Sequence, residues 1–255
     1  MAALVEEITK TTQVLDIGNK SNVHVQKEEM AVVEKKLKLA VEQSSSTLEE
    51  KPIKKEVAVE VEPKTGVSFP VELSDKMKLY GVGIRKRSFF GIGLKIYGYG
   101  IYADTKALKE LVRSKVVKAP AKATKEIYQA AIDSDVEMTL RMVVIYGGLT
   151  MGLVRKNFDD TLGTFIRKYN GGQNDDTALK KIMGEEADKI KLTAGSVIEF
   201  TKLPGYILQT KVMDEAVGKV ESELVCRAFF DMYLGDDAFD NNAKEKFGMS
   251  LISLI

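Results

Sequence analysis

The chain has 255 residues and a formal net charge of +1, with 44% hydrophobic and 29% charged residues. This is ordinary globular composition without concentrated basic charge, so it gives no electrostatic footprint for binding nucleic acid. The single cysteine, Cys226, excludes a disulfide within the chain, and the single histidine, His24, leaves little material for a histidine base or a His/Cys metal site. No apolar run approaches the ~20 residues that a membrane-spanning helix needs.

Residues 1 to about 55 form a polar leader that differs from the rest of the chain. They are rich in Glu, Lys, Ser and Thr and contain no Phe, Tyr or Trp. Such a segment buries too little apolar surface to offset its loss of conformational entropy, so we expect a mostly disordered tail before a domain over residues 56–255. The leader lacks the form of a signal peptide and is more acidic than transit peptides, which favours a cytoplasmic location.

The domain is expected to begin with strands. Valines alternate with other residues over 57–61, and after a turn signal a second short strand is predicted over 67–70. Residues 78–87 and 93–102 are rich in Tyr, Ile and Val, and this pattern predicts two strands of a long β-hairpin.

Helices and further strands follow. Helices are predicted from Asp104 or Thr105 onward and over 122–133, 150–169, 175–189, 221–234 and 240–253, and strands over 136–146, 196–202, 206–213 and 217–220. The helix over 150–169 is amphipathic, with a predicted apolar stripe of Leu153, Val154, Phe158, Leu162 and Phe165. Because the strands cluster at both ends of the domain and do not alternate with helices, the order predicts an α+β fold.

Two motifs that suggest chemistry have simpler structural explanations. The run Gly98-Tyr99-Gly100-Ile101-Tyr102-Ala103 matches the letters of a dinucleotide fingerprint, but its glycines lie inside a predicted strand and not in a strand-to-helix turn. Small residues inside a strand more often admit a close neighbour or a ligand. Carboxylate pairs such as Asp159-Asp160 are expected on helix surfaces. The sequence therefore predicts no cofactor and no metal site.

Arg85 and Tyr97 lie on the two strands of the predicted hairpin, across from each other. An arginine in a strand can simply face solvent. It can also bind an anion, since a guanidinium is always charged and holds a carboxylate through two parallel hydrogen bonds, to which a phenol can add another. The residues alone leave both interpretations open.

Three segments resemble the plant chalcone-isomerase family, most closely its fatty-acid-binding branch. They are Glu62–Pro70, Gly81–Ser88 and Tyr97–Asp104, and the similarity continues through Leu224–Arg227. It runs from about Val57 to the end of the chain and does not include the leader. The resemblance implies a chalcone-isomerase-like fold, in which a large antiparallel sheet is covered by a layer of helices.

The resemblance also implies a set of site residues. The true isomerases carry an arginine and a threonine on this hairpin, and a tyrosine and an asparagine around the following long helix. Arg85 matches the arginine and Asn157 the asparagine, whereas Tyr97 stands at the threonine position and Thr150 at the tyrosine position. In the fatty-acid-binding branch, an arginine and a tyrosine on the hairpin hold the ligand carboxylate. We therefore expect Arg85 and Tyr97 to bind a carboxylate, with Asn157 and Thr150 in the same ligand site.

The resulting hypothesis is a non-catalytic protein that holds a long-chain fatty acid, with the acyl tail in an apolar cleft. Two alternatives stay open. One is an active chalcone isomerase, which Arg85 and Asn157 favour and Tyr97 opposes. The other is a non-catalytic helper protein of flavonoid biosynthesis, which would need no apolar cleft. Because the fatty-acid-binding branch is typically plastidial, the resemblance makes the chloroplast stroma the alternative to a cytoplasmic location.

Overall fold

The structure is a computed structural model that describes residues 58–89, 92–116, 118–147 and 149–255. The predicted polar leader and His24 lie outside these residues, so the tail and the domain boundary near residue 55 stay predictions. None of the helices in the described ranges is both long and apolar enough to cross a membrane.

The described residues form one large antiparallel sheet and two small strand pairs. In chain order the strands are β1 (Val59–Val61), β2 (Ser68–Pro70), β3 (Met77–Phe89), β4 (Ile92–Asp104), β5 (Met138–Val144), β6 (Leu149–Thr150), β7 (Lys191–Leu192), β8 (Val197–Leu203), β9 (Ile207–Val212) and β10 (Glu215–Glu221). The large sheet has the order β10-β9-β8-β5-β4-β3, while β1 pairs with β2 and β6 with β7. This confirms the predicted α+β class and the large antiparallel sheet.

Helices follow the hairpin and close the chain. They are α1 (Thr105–Lys115), α2 (Lys125–Asp133), α3 (Met151–Tyr169), α4 (Asp176–Ile182), α5 (Glu223–Leu234) and α6 (Asn241–Ile252), with a 3₁₀ helix over Glu185–Lys189. The Asp104 carboxylate accepts a hydrogen bond from the Ala107 N–H at 3.0 Å, which satisfies one of the free amides at the start of α1. The predicted capping of this helix is therefore confirmed.

The alternation of side chains along β4 gives the hairpin two different faces. Tyr99 faces the helices and is fully buried, with its ring centroid 5.0 Å from that of Tyr233 in α5. Gly98 and Gly100 point the other way, where a Cβ atom would lie 3.5 Å and 3.0 Å from the side chain of Phe69 in β2. Phe69 is thus a close neighbour of both glycines, and at Gly100 the side chains of Leu79 and Tyr102 are equally close, at 3.0 Å.

Helix α5 forms the centre of the helix layer. From Val225 to Leu234 every residue except Arg227 is buried, and Cys226 is a small residue of this core. The ring of Phe229 packs against those of Phe200 in β8 and Phe158 in α3, at centroid distances of 4.9 Å and 5.7 Å. Burying one such side chain contributes about 1.5–3 kcal/mol, so these contacts hold α5 and α3 against the sheet.

One residue of the predicted apolar stripe on α3 is misplaced. Leu162 is fully buried as predicted, but Leu153 is 50% exposed. At about 100° per residue, Leu153 lies about 180° around the helix from Leu162. The prediction grouped an apolar residue with the buried face although it lies on the opposite side.

The single helix predicted over residues 175–189 is also wrong. Helix α4 ends at Ile182, and a separate 3₁₀ helix begins at Glu185. Between them the N–H of Gly184 donates to the carbonyl oxygen of Val217 in β10 at 2.9 Å, and a Cβ atom at Gly184 would lie 2.8 Å from that oxygen. This close contact with the edge of the sheet interrupts the helix.

Candidate ligand-binding site

Arg85 and Tyr97 occupy directly opposite positions in the register of β3 and β4. Both side chains lie on the face of the hairpin that the helices cover. The Arg85 Cζ atom lies 3.6 Å from the ring centroid of Phe239, and the Tyr97 hydroxyl lies 3.0 Å from the hydroxyl of Tyr233. The structure therefore brings together the two residues expected to hold a carboxylate.

Phe239 gives the Arg85 guanidinium an aromatic surface. It lies between α5 and α6, where its N–H donates to the carbonyl oxygen of Met232 at 3.0 Å. The next residue, Asp240, caps α6 and accepts a hydrogen bond from the Ile84 N–H at 3.2 Å. Because these bonds fix the loop to both α5 and β3, the ring of Phe239 is held in place. A cation over an aromatic face gains about 0.5–2 kcal/mol.

The charge of Arg85 has no acidic partner among the residues that the structure describes. None of the ion pairs in this part of the chain includes Arg85. Side-chain hydrogen bonds from its guanidinium are likewise absent here, although the neighbouring Arg87 bonds to Asn157. A half-buried guanidinium in this condition can accept a ligand carboxylate without first breaking an internal ion pair.

Three tyrosine side chains lie near Arg85, whose charge acts on the pKa of each of them. Tyr97 and Tyr99 come from β4, and Tyr233 comes from α5. The rings of Tyr97 and Tyr99 meet edge-on with centroids 6.3 Å apart, and the hydroxyl of Tyr99 is buried without a hydrogen-bond partner among the described residues. The cluster thus combines one fixed cation with three phenolic hydroxyls.

Gly83 makes room for the Tyr99 side chain. It is paired with Tyr99 across the hairpin, and a Cβ atom at this position would lie 2.7 Å from both the Cζ and the hydroxyl oxygen of Tyr99. The same atom would lie 2.6 Å from the Cβ of Ala243 in α6. Glycine is therefore required at position 83 for the end of the Tyr99 side chain to pack between β3 and α6.

Burial keeps the phenols protonated. It raises the pKa of Tyr97, although the hydrogen bond with Tyr233 and the charge of Arg85 partly oppose the shift. Burial also raises the pKa values of Tyr99 and Tyr233 well above 10. At neutral pH all three groups are hydrogen-bond donors, which suits an anionic ligand.

The surroundings of the cluster are aromatic. The stacked rings of Phe158 and Phe200 lie 5.0 Å apart, and Phe229 connects them to Tyr233 at 5.6 Å. Two surface clefts of about 480 Å³ and 370 Å³ lie elsewhere, and neither is lined by Arg85 or Tyr97. The apolar cleft expected for an acyl tail therefore stays a prediction.

Asn157 and Thr150 are exposed, and their side chains form hydrogen bonds at α3. Asn157 is exposed on α3, where its amide donates to the Leu153 carbonyl at 2.8 Å and its side-chain oxygen accepts from Arg87. Thr150 is exposed and caps α3 by accepting a hydrogen bond from the Leu153 N–H at 3.3 Å. Neither bonds to Arg85 or Tyr97 within the described residues, so their roles in ligand binding stay predictions.

Sequence reasoning missed three residues of the cluster. Tyr99 could have been found, because residues two apart in a strand share a face and Tyr97 was already assigned. Tyr233 and Phe239 could not, because they reach the hairpin only through the packing of α5 on the sheet.

His, Cys, Asp and Glu side chains in the described ranges do not group into a metal-binding cluster.

Comparison with known proteins supports these observations. Residues 75–248 match the family model described as "Chalcone isomerase like". The chain is 45% identical over 212 residues to "Chalcone isomerase-like protein 1" of Humulus lupulus, which covers 82% of this chain and 99% of that protein. It is also 37% identical over 191 residues to "Fatty-acid-binding protein 1" of Arabidopsis thaliana, which covers 73% of this chain and 68% of the relative.

The fold agrees with a solved structure of that group. The crystal structure of an Arabidopsis thaliana fatty-acid binding protein superposes with a TM-score of 0.72 at 36% sequence identity, covering 77% of this chain and 98% of the other. The resemblance identified from the hairpin motifs is therefore confirmed at the level of sequence and fold. This chain belongs to the chalcone isomerase-like family.

Proposed function

We propose that this protein is a non-catalytic fatty-acid-binding protein in which Arg85 and Tyr97 hold the ligand carboxylate. The observation that carries the proposal is the Arg85 guanidinium, which lies on Phe239 beside three protonated phenols and has no carboxylate partner among the described residues. Such a site is suited to a single carboxylate, which can accept two hydrogen bonds from the guanidinium and others from phenols.

The acyl tail supplies most of the binding free energy. Each buried CH₂ contributes about 0.8 kcal/mol, so a sixteen-carbon tail gains roughly 10 kcal/mol, against an association cost of about 4–15 kcal/mol. A hydrogen bond to a charged group adds about 1.5–3 kcal/mol. The tail therefore provides affinity, and Arg85 with Tyr97 determines which end of the ligand is bound.

The names of relatives point in the same direction. One is called a fatty-acid-binding protein, and the solved structure that this fold matches is described as a fatty-acid binding protein. The relative with 45% identity is named only for its likeness to chalcone isomerase. The family is thus compatible with binding a carboxylate ligand, and the hairpin residues favour it.

The residues at the isomerase positions favour binding over catalysis. By the family resemblance, Tyr97 replaces a threonine and Thr150 replaces a tyrosine. The Tyr97 ring fills space beside Arg85, and its hydroxyl is directed to Tyr233. A flavonoid ring would have to occupy this space, so we propose that the protein does not turn over chalcones.

A direct test is titration of the purified protein with a sixteen-carbon fatty acid, with the alcohol of the same length as the control. The chain has no tryptophan, so calorimetry is preferred to intrinsic fluorescence. We expect micromolar-class binding of the acid and weaker binding of the alcohol, and fatty acids among the lipids that mass spectrometry detects in the purified protein. Equal affinity for acid and alcohol would contradict a carboxylate site.

A further inference from the structure

The hydroxyl of Tyr99 is the most unusual polar group near the proposed site. Its side chain is fully buried, and its oxygen has no hydrogen-bond partner among the described residues. A buried hydroxyl in this condition costs about 1–3 kcal/mol of stability, and such groups in native proteins are rare enough to need an explanation. A phenylalanine would fill the same space without this cost.

The position of Tyr99 connects it to Arg85. Its hydroxyl lies against Gly83, which precedes Arg85 by two residues on the same face of β3. That separation is about 6.6 Å along a strand. Tyr97, two residues away on β4, lies opposite Arg85. The hydroxyl therefore lies on the same face of the hairpin as the guanidinium, whose charge acts on the pKa of Tyr99.

Tyr97 and Tyr233 together provide one more O–H group, besides that of Tyr99, that can donate to a ligand. The hydroxyls of Tyr97 and Tyr233 lie 3.0 Å apart, and one of them donates to the other. Because each phenol carries one proton, the pair keeps one O–H that can donate elsewhere. A ligand carboxylate has about four acceptor positions, so it can accept from the Arg85 guanidinium and from two phenols at once.

Asp240 is the acidic group that could compete for the Tyr99 proton. Its carboxylate already accepts hydrogen bonds from the backbone N–H groups of Ile84, Asn242 and Ala243. It does not bond to Tyr99, and its charge raises the pKa of that phenol further. Burial and, after it, the charge of Asp240 raise the pKa of Tyr99, while Asp240 gives the hydroxyl no hydrogen bond.

We propose that Tyr99 is a third carboxylate-binding residue, whose hydroxyl donates to the ligand, and that Tyr233 positions Tyr97 for the same purpose. This inference rests on the proposed function and deepens it. It explains why a polar atom is left unpaired in the apolar interior: its partner is supplied by the ligand. The unpaired hydroxyl then lowers the stability of the free protein and strengthens the complex.

The test compares Tyr99→Phe with Tyr102→Phe as a matched control. Tyr102 is also a buried tyrosine of β4, but it lies on the opposite face and donates to the Pro70 carbonyl at 2.9 Å. Tyr99→Phe should weaken binding of a sixteen-carbon fatty acid about 3- to 12-fold and leave binding of its methyl ester nearly unchanged. It should also keep or raise the melting temperature. Tyr102→Phe should lower the melting temperature and leave the affinity for the acid unchanged.

The outcomes separate this inference from the proposed function. If the wild type binds the acid and Arg85→Ala weakens binding, but Tyr99→Phe binds as tightly as the wild type, the role of Tyr99 is overturned and the proposed function stands. A Tyr99→Phe variant that loses stability as Tyr102→Phe does would also overturn it, because the hydroxyl would then be bonded in the free protein. If the wild type binds no fatty acid, both proposals fail together.

Discussion

Two cations, Arg85 and Lys202, lie on the helix-covered face of the sheet, each against a phenylalanine ring. The Lys202 Nζ atom lies 5.1 Å from the ring centroid of Phe230, and the Arg85 Cζ atom lies 3.6 Å from that of Phe239. Their hydrogen bonding differs. The Lys202 ammonium donates to the carbonyl oxygens of Ser134 at 2.7 Å and Ala131 at 3.4 Å, whereas Arg85 has no such partner among the described residues.

The difference separates a structural cation from one that is available to a ligand. Ala131 and Ser134 lie at the C-terminal end of α2, where free carbonyls and the helix dipole both favour a positive charge. Lys202 is fully buried there and completes the end of the helix. Arg85, in contrast, does not donate a side-chain hydrogen bond to any helix end in the described part of the fold. A cation whose hydrogen-bond acceptors are supplied by the chain stabilises the fold. A cation that lacks such acceptors is available to bind a ligand.

The largest expected effect is on stability at Lys202. Lys202→Ala leaves the Ser134 carbonyl oxygen without a donor, whereas that of Ala131 keeps the Ser134 hydroxyl at 2.9 Å. Because the variant also opens a cavity, we expect it to lower the free energy of unfolding by about 2–4 kcal/mol. Arg85→Ala is the matched variant and should lose only the contact with Phe239, about 0.5–2 kcal/mol. Urea denaturation measures both. Equal losses would mean that the two cations do not differ in role.

The pH dependence of stability sharpens the same comparison. Burial lowers the pKa of Lys202 to about 8, below the 10.5 of an exposed lysine. Between these values the unfolded chain binds more protons than the folded one, so stability rises with pH in this window. The free energy of unfolding of the wild type, relative to Lys202→Met, should therefore increase by about 1–3 kcal/mol between pH 8 and 10.5.

That comparison uses Lys202→Met because the variant retains the other titrating groups, and their contributions cancel in the difference. Denaturation series at several pH values give the curve. A flat difference would show that the Lys202 ammonium is as well solvated in the folded protein as in the unfolded chain.

Smaller effects are expected for conservative changes at the binding cation and its neighbour. Arg85→Lys should recover only part of the affinity lost in Arg85→Ala, because an ammonium cannot make the paired contact of a guanidinium. Tyr97→Phe removes one neutral hydrogen bond and should cost about 0.5–1.5 kcal/mol of binding free energy. Calorimetric titration with a fatty acid measures both. Full affinity in Arg85→Lys would indicate a point-charge contact only.

The smallest expected effect is on chalcone turnover. If Arg85 serves binding and not catalysis, an absorbance assay with a simple chalcone should show no rate above the spontaneous cyclisation. Heat-denatured protein is the control for nonspecific effects. Clear turnover that Arg85→Ala abolishes would assign this cation to catalysis and would contradict the proposed function.

The sequence predicted the hairpin well because its information is local. Segments rich in Tyr, Ile and Val predicted the two strands with Arg85 across from Tyr97, which the structure confirms, and the glycines at 98 and 100 indicated a close neighbour. The rest of the cluster depends on distant packing. Tyr233 lies 136 residues after Tyr97 in the chain, and no local pattern could indicate their hydrogen bond.

The wrong predictions have the same origin. Leu153 is apolar and lies in an amphipathic helix, but its side of α3 is not covered by the sheet. The break between α4 and the 3₁₀ helix depends on the contact of Gly184 with Val217, which comes from a strand 33 residues later. Local propensity cannot predict the exposure of Leu153 or the break at Gly184, because both depend on tertiary packing.

The most direct test of the central claim is the affinity of wild type and Arg85→Ala for a sixteen-carbon fatty acid and for its methyl ester, measured by titration calorimetry. If Arg85 binds the carboxylate, the wild type prefers the acid, and Arg85→Ala loses about 1.5–3 kcal/mol for the acid, roughly 10- to 150-fold, while it binds acid and ester almost equally. If Arg85→Ala binds the acid as tightly as the wild type does, Arg85 is only a strand arginine and the assigned site is wrong.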